Sequence, residues 1–315
     1  MLLANAIVQF LEYLEIEKGR SPLTIRNYDR YLRALHAYLV KTNPKVNISD
    51  ITLAQVRKFR ILLSRKKNQQ GHYLAPATIN YYLIALRSFL KYLQKNDLTS
   101  LAPEKIELAK QTRPQVAVLS VDKLELLLKS AQPQSPDDLM RLRDYAILLT
   151  LFSTGLRVQE LVSLNRQQVN TKTREFMVRG KGQKDRLIFL SPLAAKHLEQ
   201  YIQKRKDNYQ PLFITTRSIT LDPQKKGEEL RLTARSIQRI INKYARLAGI
   251  VEKVTPHTLR HTFATDLLVN GADIRSVQEL LGHASIQTTQ VYTHVTNQRL
   301  KQVHQSYHGK RLKKK

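Results

Sequence analysis

The 315-residue chain contains no cysteine. That excludes disulfides, thiolate metal sites and a cysteine nucleophile, and it suits a reducing compartment. Acid is scarce as well: 25 Asp and Glu stand against 53 Lys and Arg, for a formal net charge of +28 and a pI near 10.3. An excess this large, spread along the whole chain, is the electrostatic footprint of a polyanionic partner. Long apolar runs are missing too. The longest, near Ala146 to Phe152, is too short to span a bilayer. The opening MLLANAIVQFLEYLEIEKGR has no basic region before its apolar start and sets Glu12, Glu15 and Glu17 directly after it, so it does not read as a secretory signal. The basic residues are interleaved with core-like periodicity and not gathered on one amphipathic helix, which argues against a membrane surface. The expectation is a cytoplasmic protein that meets nucleic acid.

What is present is mostly helix. Ile7, Phe10, Leu11 and Leu14 keep helical spacing, and Ser21-Pro22 opens a second helix with Ile25, Tyr28, Leu32, Leu35 and Leu39 as its stripe. A third runs from about Leu53 to Lys67 and a fourth from Pro76 through Ile79, Leu83, Leu86, Leu90 and Leu93. Four helices with short connections and no strand signal predict an all-α bundle over residues 1–97. Arg26, Arg30 and Arg33 recur at spacings of four and three, and Lys58 and its neighbours decorate the third helix. In so basic a chain, Arg26, Arg30 and Lys58 are candidates for a stripe that faces DNA. The segment DLTSLAPEKIELAKQTRPQVAVL has little periodicity, and residues 98–118 read as an interdomain linker.

A second domain is expected over residues 119–300, followed by a basic tail, 301–315. It opens with a helix capped by Ser120, then RLRDYAILLTLFSTGLRVQELVSL, apolar enough for a buried central helix and broken at Thr154-Gly155. Arg157 and Glu160 lie three apart where the helix resumes. REFMVRG and KDRLIFL alternate in the manner of strands around Gly180-Lys181-Gly182-Gln183, which puts Lys181 at or beside a hairpin turn. Leu212 to Thr215 is a candidate short strand. Thr233 caps a helix on which Arg235 and Arg239 are candidate DNA contacts.

From Thr255 to His294 three short helices are predicted. Thr255 caps the first, with Pro256 as its opening residue, so His257 and Arg260 share a face. Gly271 ends it, Asp273 caps the next and Gly282 stops that one just before His283; Ser285 caps the last, which carries Tyr292.

Arg157, Lys181, His257, Arg260, His283 and Tyr292 make a cationic set around one phenol, without the carboxylate pair that a hard divalent metal needs. His257 and His261 at i, i+4 invite a zinc reading, but Thr258 stands where the glutamate of H-E-x-x-H belongs. No metal and no cofactor are expected. Such a set suits phosphoryl transfer. Guanidiniums grip the non-bridging oxygens of a phosphodiester in a fork that lysine cannot supply, and Tyr292 as nucleophile would conserve the ester bond in a phosphotyrosine.

TGLRVQEL, GKGQKDR, HTLRHTFAT and LLGHASIQTTQVYTH occur in this order, and together they resemble the tyrosine recombinase (phage integrase) family. The resemblance covers about Leu119 to Leu300, and the preceding bundle resembles that family's SAM-like core-binding domain. It implies a mainly α fold with a small β-sheet, an N-terminal all-α bundle joined to a mixed α/β catalytic domain. It implies that Arg157 and Arg260 bind the scissile phosphate and that Lys181 protonates the 5′-oxygen leaving group. His257 would be the general acid/base, His283 a hydrogen-bonding partner of the phosphate, and Tyr292 the nucleophile of a 3′-phosphotyrosyl link. Glu160 would orient an arginine from behind.

The resemblance further implies double-stranded DNA clamped between the domains, and a tetramer on two sites formed by one protein or with a paralogue. The tail would pack on a neighbouring protomer, and a DNA translocase is a possible activator. No arm-binding domain precedes the bundle, which is similar to the simple Xer-type recombinases that resolve chromosome or plasmid dimers. An integrase of a transposon, integron or phage is the alternative within the family, and a type IB topoisomerase shares the tyrosine chemistry.

Overall fold

Hydroxyl or proline residues set the start of seven of the eleven α-helices among the described residues. In the computed structural model, which describes residues 1–68, 71–110, 117–180, 185–216 and 222–282, the chain divides into two units, Met1–Pro114 and Gln115–Lys315.

The first unit is a four-helix bundle: α1 (Leu3–Ile16), α2 (Pro22–Val40), α3 (Leu53–Arg65) and α4 (Pro76–Lys95). Ser21 Oγ accepts from the Thr24 amide at 3.3 Å and Pro22 stands in the first turn of α2, the start that fixed φ and a capped amide favour. One stripe of each helix is buried: Leu3, Ile7, Phe10 and Leu14 on α1, and Ile79, Leu83, Leu86, Leu90 and Leu93 on α4. Phe10 meets Phe89 edge to face at 5.4 Å. Tyr82 packs inward on Tyr31 at 4.4 Å, whereas Tyr73 and Tyr81 are exposed.

The segment read as a linker, 98–118, belongs to this bundle in its first half. Ile106 is buried, with Leu98, Leu101 and Leu108 packed on the same core. Asn80, itself buried, clasps the Ala109 backbone through Nδ2 to the carbonyl at 2.9 Å and from the amide to Oδ1 at 3.1 Å. Arg60 Nη1 donates to the Glu107 carbonyl at 3.1 Å. Apart from a single 3-10 turn at Pro103–Lys105, residues 98–110 are irregular, so they carry apolar anchors without any helical period.

The second unit is built round α6 (Leu139–Thr154), which follows α5 (Val121–Ala131) and is buried at every position from Leu142 to Leu151. Burial of Arg143 and Asp144 is met by pairing: Arg143 Nη2 to Asp144 Oδ1 at 2.6 Å, Arg143 Nη1 to the Ile214 carbonyl at 2.9 Å, and Tyr244 Oη to Asp144 Oδ2 at 3.1 Å. Gly155 ends α6 with φ +60, and a Cβ there would lie 2.4 Å from Phe263 Cδ1. Then come α7 (Val158–Ser163), β1 (Glu175–Arg179), β2 (Asp185–Phe189), α8 (Pro192–Lys204), α9 (Ala234–Leu247), α10 (Pro256–Val269) and α11 (Ile274–Leu281).

β1 and β2 pair antiparallel with Met177 opposite Leu187 and Val178 opposite Arg186. Phe176, Val178 and Ile188 face inward, and Arg186 occupies the same side. Residues 212–215 form no strand. They contribute one isolated bridge, Ile214 to Arg231, with the Leu212 amide on the Leu164 carbonyl and the Thr215 amide on the Leu230 carbonyl. The fold is thus mainly helical with a two-stranded sheet among the described residues. None of their helices is long and apolar enough to cross a membrane.

Candidate active site

Three short-range signals build one wall of the site. Arg157 caps α7 in extended conformation, and Glu160 at the third helical position turns back to accept the Arg157 amide on Oε2 at 2.8 Å. Thr255 Oγ1 accepts the Thr258 amide at 3.1 Å, which starts α10 at Pro256 and sets His257 and Arg260 one turn apart. Asp273 Oδ1 accepts the Arg275 and Ser276 amides at 2.9 Å each, and Gly282, at φ +61, closes the eight-residue α11.

The C-terminus of α11 then gathers the arginines. Arg186 Nε donates to the Leu280 carbonyl at 3.2 Å, Arg260 Nη2 to Leu281 at 2.6 Å and Arg157 Nη2 to Gly282 at 3.0 Å. Arg260 Nη1 also donates to the Gly155 carbonyl at 2.5 Å, beside the cap that carries Arg157. The last carbonyls of a helix lack intrahelical donors and carry its partial negative charge, so they are natural seats for cations. Behind them lies a small apolar cluster of Ala264, Leu268, Val277 and Leu281, which fixes α10 against α11.

Arg260 is buried, and Arg157 keeps 29% of its side chain exposed. Two of the five N–H donors of Arg157 are engaged by side-chain bonds, one to Glu160 Oε1 at 2.8 Å and one to Gly282. His257 keeps solvent access. What desolvation it has, followed by the charges of Arg260 and Arg157, lowers its pKa below the ordinary imidazole value. His261, one turn on with its ring 6.3 Å from that of His257, is pushed down to about 4 by burial and then by His257 and Arg260. A neutral imidazole beside two guanidiniums is a proton acceptor next to an anion grip.

The structure therefore brings together Arg157, Glu160, His257 and Arg260. Lys181, His283 and Tyr292 lie outside the described residues. In sequence Lys181 falls between Arg179 and Asp185, which pair across the hairpin, and His283 directly follows the cap of α11. Of the proposed DNA contacts, Arg26, Arg30 and Lys58 are exposed on the bundle and Arg235 and Arg239 on α9; none has a carboxylate partner among the described residues. Arg30 Cζ lies 4.9 Å over the Tyr31 ring.

Arg186 is the residue that sequence reading missed. It binds both oxygens of Glu160, Nη1 to Oε1 at 2.9 Å and Nη2 to Oε2 at 2.7 Å. The signal was an arginine on the inward side of an alternating strand, two residues before the inward-facing Ile188 and opposite Val178.

Two family models match the chain. Residues 117–299 match the phage integrase family and residues 7–97 its N-terminal SAM-like domain. The chain belongs to the phage integrase family, the tyrosine recombinases, which are DNA strand-transferring enzymes. Within it, the chain is 38% identical to tyrosine recombinase XerD of Listeria innocua over 96% of its length and 98% of that protein. It is 34% identical to tyrosine recombinase XerC of Syntrophus aciditrophicus, covering 96% and 97%. It also resembles the XerH site-specific recombinase bound to a palindromic difH substrate in a post-cleavage complex, with TM-score 0.68 and 25% identity over 94% of this chain and 83% of that one.

Proposed function

We propose that the protein is a site-specific recombinase of the Xer kind, which cuts and rejoins double-stranded DNA to resolve chromosome or plasmid dimers in the cytoplasm. The observation that carries this reading is the convergence of Arg157 and Arg260 on the adjacent carbonyls of Leu281 and Gly282, with His257 one turn from Arg260. Two guanidiniums at one point, one buried and one reaching solvent, are a phosphate grip that tightens as negative charge grows on the non-bridging oxygens.

Tyr292 Oη attacks the scissile phosphorus, forming the phosphotyrosine while the bond to the 5′ oxygen breaks. His257 takes the phenol proton, and Lys181 gives one to the departing 5′ oxygen. Religation reverses both transfers, and because the ester is conserved no high-energy cofactor is consumed. His283 hydrogen-bonds the phosphate. Arg26, Arg30, Lys58, Arg235 and Arg239 hold the DNA backbone. The working form is a tetramer on two sites, of this chain alone or with a paralogue, in which the basic tail 301–315 meets a neighbour and a DNA translocase can act as activator. Support comes from the full-length similarity to XerD and XerC proteins, which matches both units of the chain.

The test is covalent capture. Sheared genomic DNA is incubated with the protein, denatured, and the DNA that stays attached is sequenced. The wild type captures a discrete sequence and Tyr292→Phe captures none while still binding DNA. Capture of a mobile-element end would assign the protein to integration instead, and capture without sequence preference, together with relaxation of supercoils, would assign it to topoisomerase-like activity.

A further inference from the structure

The carboxylate of Glu160 is buried between two guanidiniums, and the two are not equivalent. Arg186 takes it as a fork, one nitrogen on each oxygen at 2.9 and 2.7 Å, the geometry of the strongest carboxylate pairing. Arg157 gives it only one side-chain nitrogen, at 2.8 Å, besides its backbone amide. Arg186 is 11% exposed at its side chain and Arg157 29%. Only Arg157 of this pair is placed to reach a ligand from solvent.

We propose that Arg186 is a positioning residue for cleavage: by occupying Glu160 it leaves the charge of Arg157 for the scissile phosphate, and by its stem it sets the end of α11. It rests on the reading of Arg157 as a phosphate ligand. With one carboxylate and two guanidiniums the buried set keeps one net positive charge. Without Arg186 the same carboxylate would neutralise Arg157, and the phosphate would meet an ion pair in place of a cation. Burial raises the Glu160 pKa, but the Arg186 hydrogen bonds, the Arg157 amide and the Arg186 charge outweigh it and hold the group ionised.

The stem has a second task. A Cβ at Gly282 would lie 3.0 Å from Arg186 Cδ, and Arg186 Nε holds the Leu280 carbonyl at 3.2 Å. The same side chain therefore fixes Glu160, and through it Arg157, while lying against the cap from which the chain continues to His283.

Three variants test this: Arg186→Gln, Arg186→Lys and the double variant Glu160→Gln/Arg186→Gln, each checked for a native thermal transition. The first readout needs no DNA. It is the titration midpoint of His257, followed by NMR in the full chain; besides Arg157, His257 faces Arg260 and His261 on its own helix. Arg186→Gln lets Glu160 neutralise Arg157, so the midpoint rises. Arg186→Lys keeps the charge, and the double variant removes both charges, so both keep the wild-type midpoint. An unchanged midpoint in Arg186→Gln, or an equal rise in the double variant, overturns the proposal. The second readout is the rate of covalent capture of the sequence recovered with wild type. Arg186→Gln captures about tenfold to a hundredfold more slowly with DNA binding retained, and the double variant recovers most of that loss. Capture by Arg186→Gln at the wild-type rate, with Tyr292→Phe inactive, overturns the proposal alone. Failure of the wild type to capture any DNA overturns the recombinase reading, and the titration still decides the role of Arg186.

Discussion

Arg157 donates to the carbonyl of Gly282 at 3.0 Å, although 125 residues separate them. That bond joins the arginine at the start of α7 to the cap of α11, from which the chain runs on to His283 and Tyr292. Its geometry depends on a left-handed residue at 282, where φ is +61. Gly282→Ala should therefore cost about 1–2 kcal/mol for the left-handed conformation, and the added methyl should push on the Arg186 stem. The expected outcome is a modest drop in thermal midpoint and a larger drop in the rate of covalent DNA capture. A variant that loses stability but captures at the wild-type rate would separate the cap from the site.

Arg157→Lys isolates the fork. Lysine keeps the charge but cannot bind Glu160, the Gly282 carbonyl and a phosphate oxygen from one rigid plane. Capture should fall by about a hundredfold or more, while binding to an uncleaved duplex changes little, because the many other basic residues supply most of the affinity. Single-turnover rates at saturating protein measure the first effect and filter binding the second. Equal losses in both would mean that Arg157 is only one more backbone contact.

Much of this was legible in the sequence because the signals were local. Thr255-Pro256, Asp273 and Gly282 set three helix boundaries through side-chain oxygens and a missing Cβ, and α1 to α4 carry their core stripes at helical spacing. Arg157 and Glu160 met as their spacing of three demands. What was not legible was carried by groups without a pattern. The carbonyls of Gly155, Leu280, Leu281 and Gly282 hold the arginines, and a carbonyl has no sequence signature. Arg186 did leave a trace, a charge where strand alternation calls for an apolar residue, but its partner is 26 residues away. Residues 98–109 dock on the bundle through Ile106 and the Asn80 clasp, contacts that need no period and so looked like linker.

His261 links the site to acid stability. Its folded pKa is about 4 against an ordinary 6.5, with burial the largest cause, followed by His257 and Arg260. Between those values the unfolded chain binds a proton that the folded chain refuses, so His261 takes nothing from stability above about pH 6.5 and lowers it progressively as pH falls toward 4. His261→Gln, which cannot take up that proton, should flatten the fall in thermal midpoint over this window and leave the neutral-pH midpoint less affected. Parallel curves for the variant and the wild type would show that another group governs the acid limb.

The exposed cations of α9 allow a test that requires no knowledge of the target. Arg235 and Arg239 stand four apart, both in solvent, on a helix whose other side buries Ile237, Ile240, Ile241 and Tyr244. If each neutralises one phosphate, it releases condensed counterions on binding. Arg239→Ala should then make the slope of log affinity against log salt shallower by about one unit on duplex DNA of any sequence. Arg235→Ala should do the same, and the double variant should lose about two units, since residues on separate phosphates act independently. A slope that stays at the wild-type value while affinity for one sequence falls would assign the residue to reading bases in place of holding the backbone. No change in either quantity would remove that arginine from the DNA face.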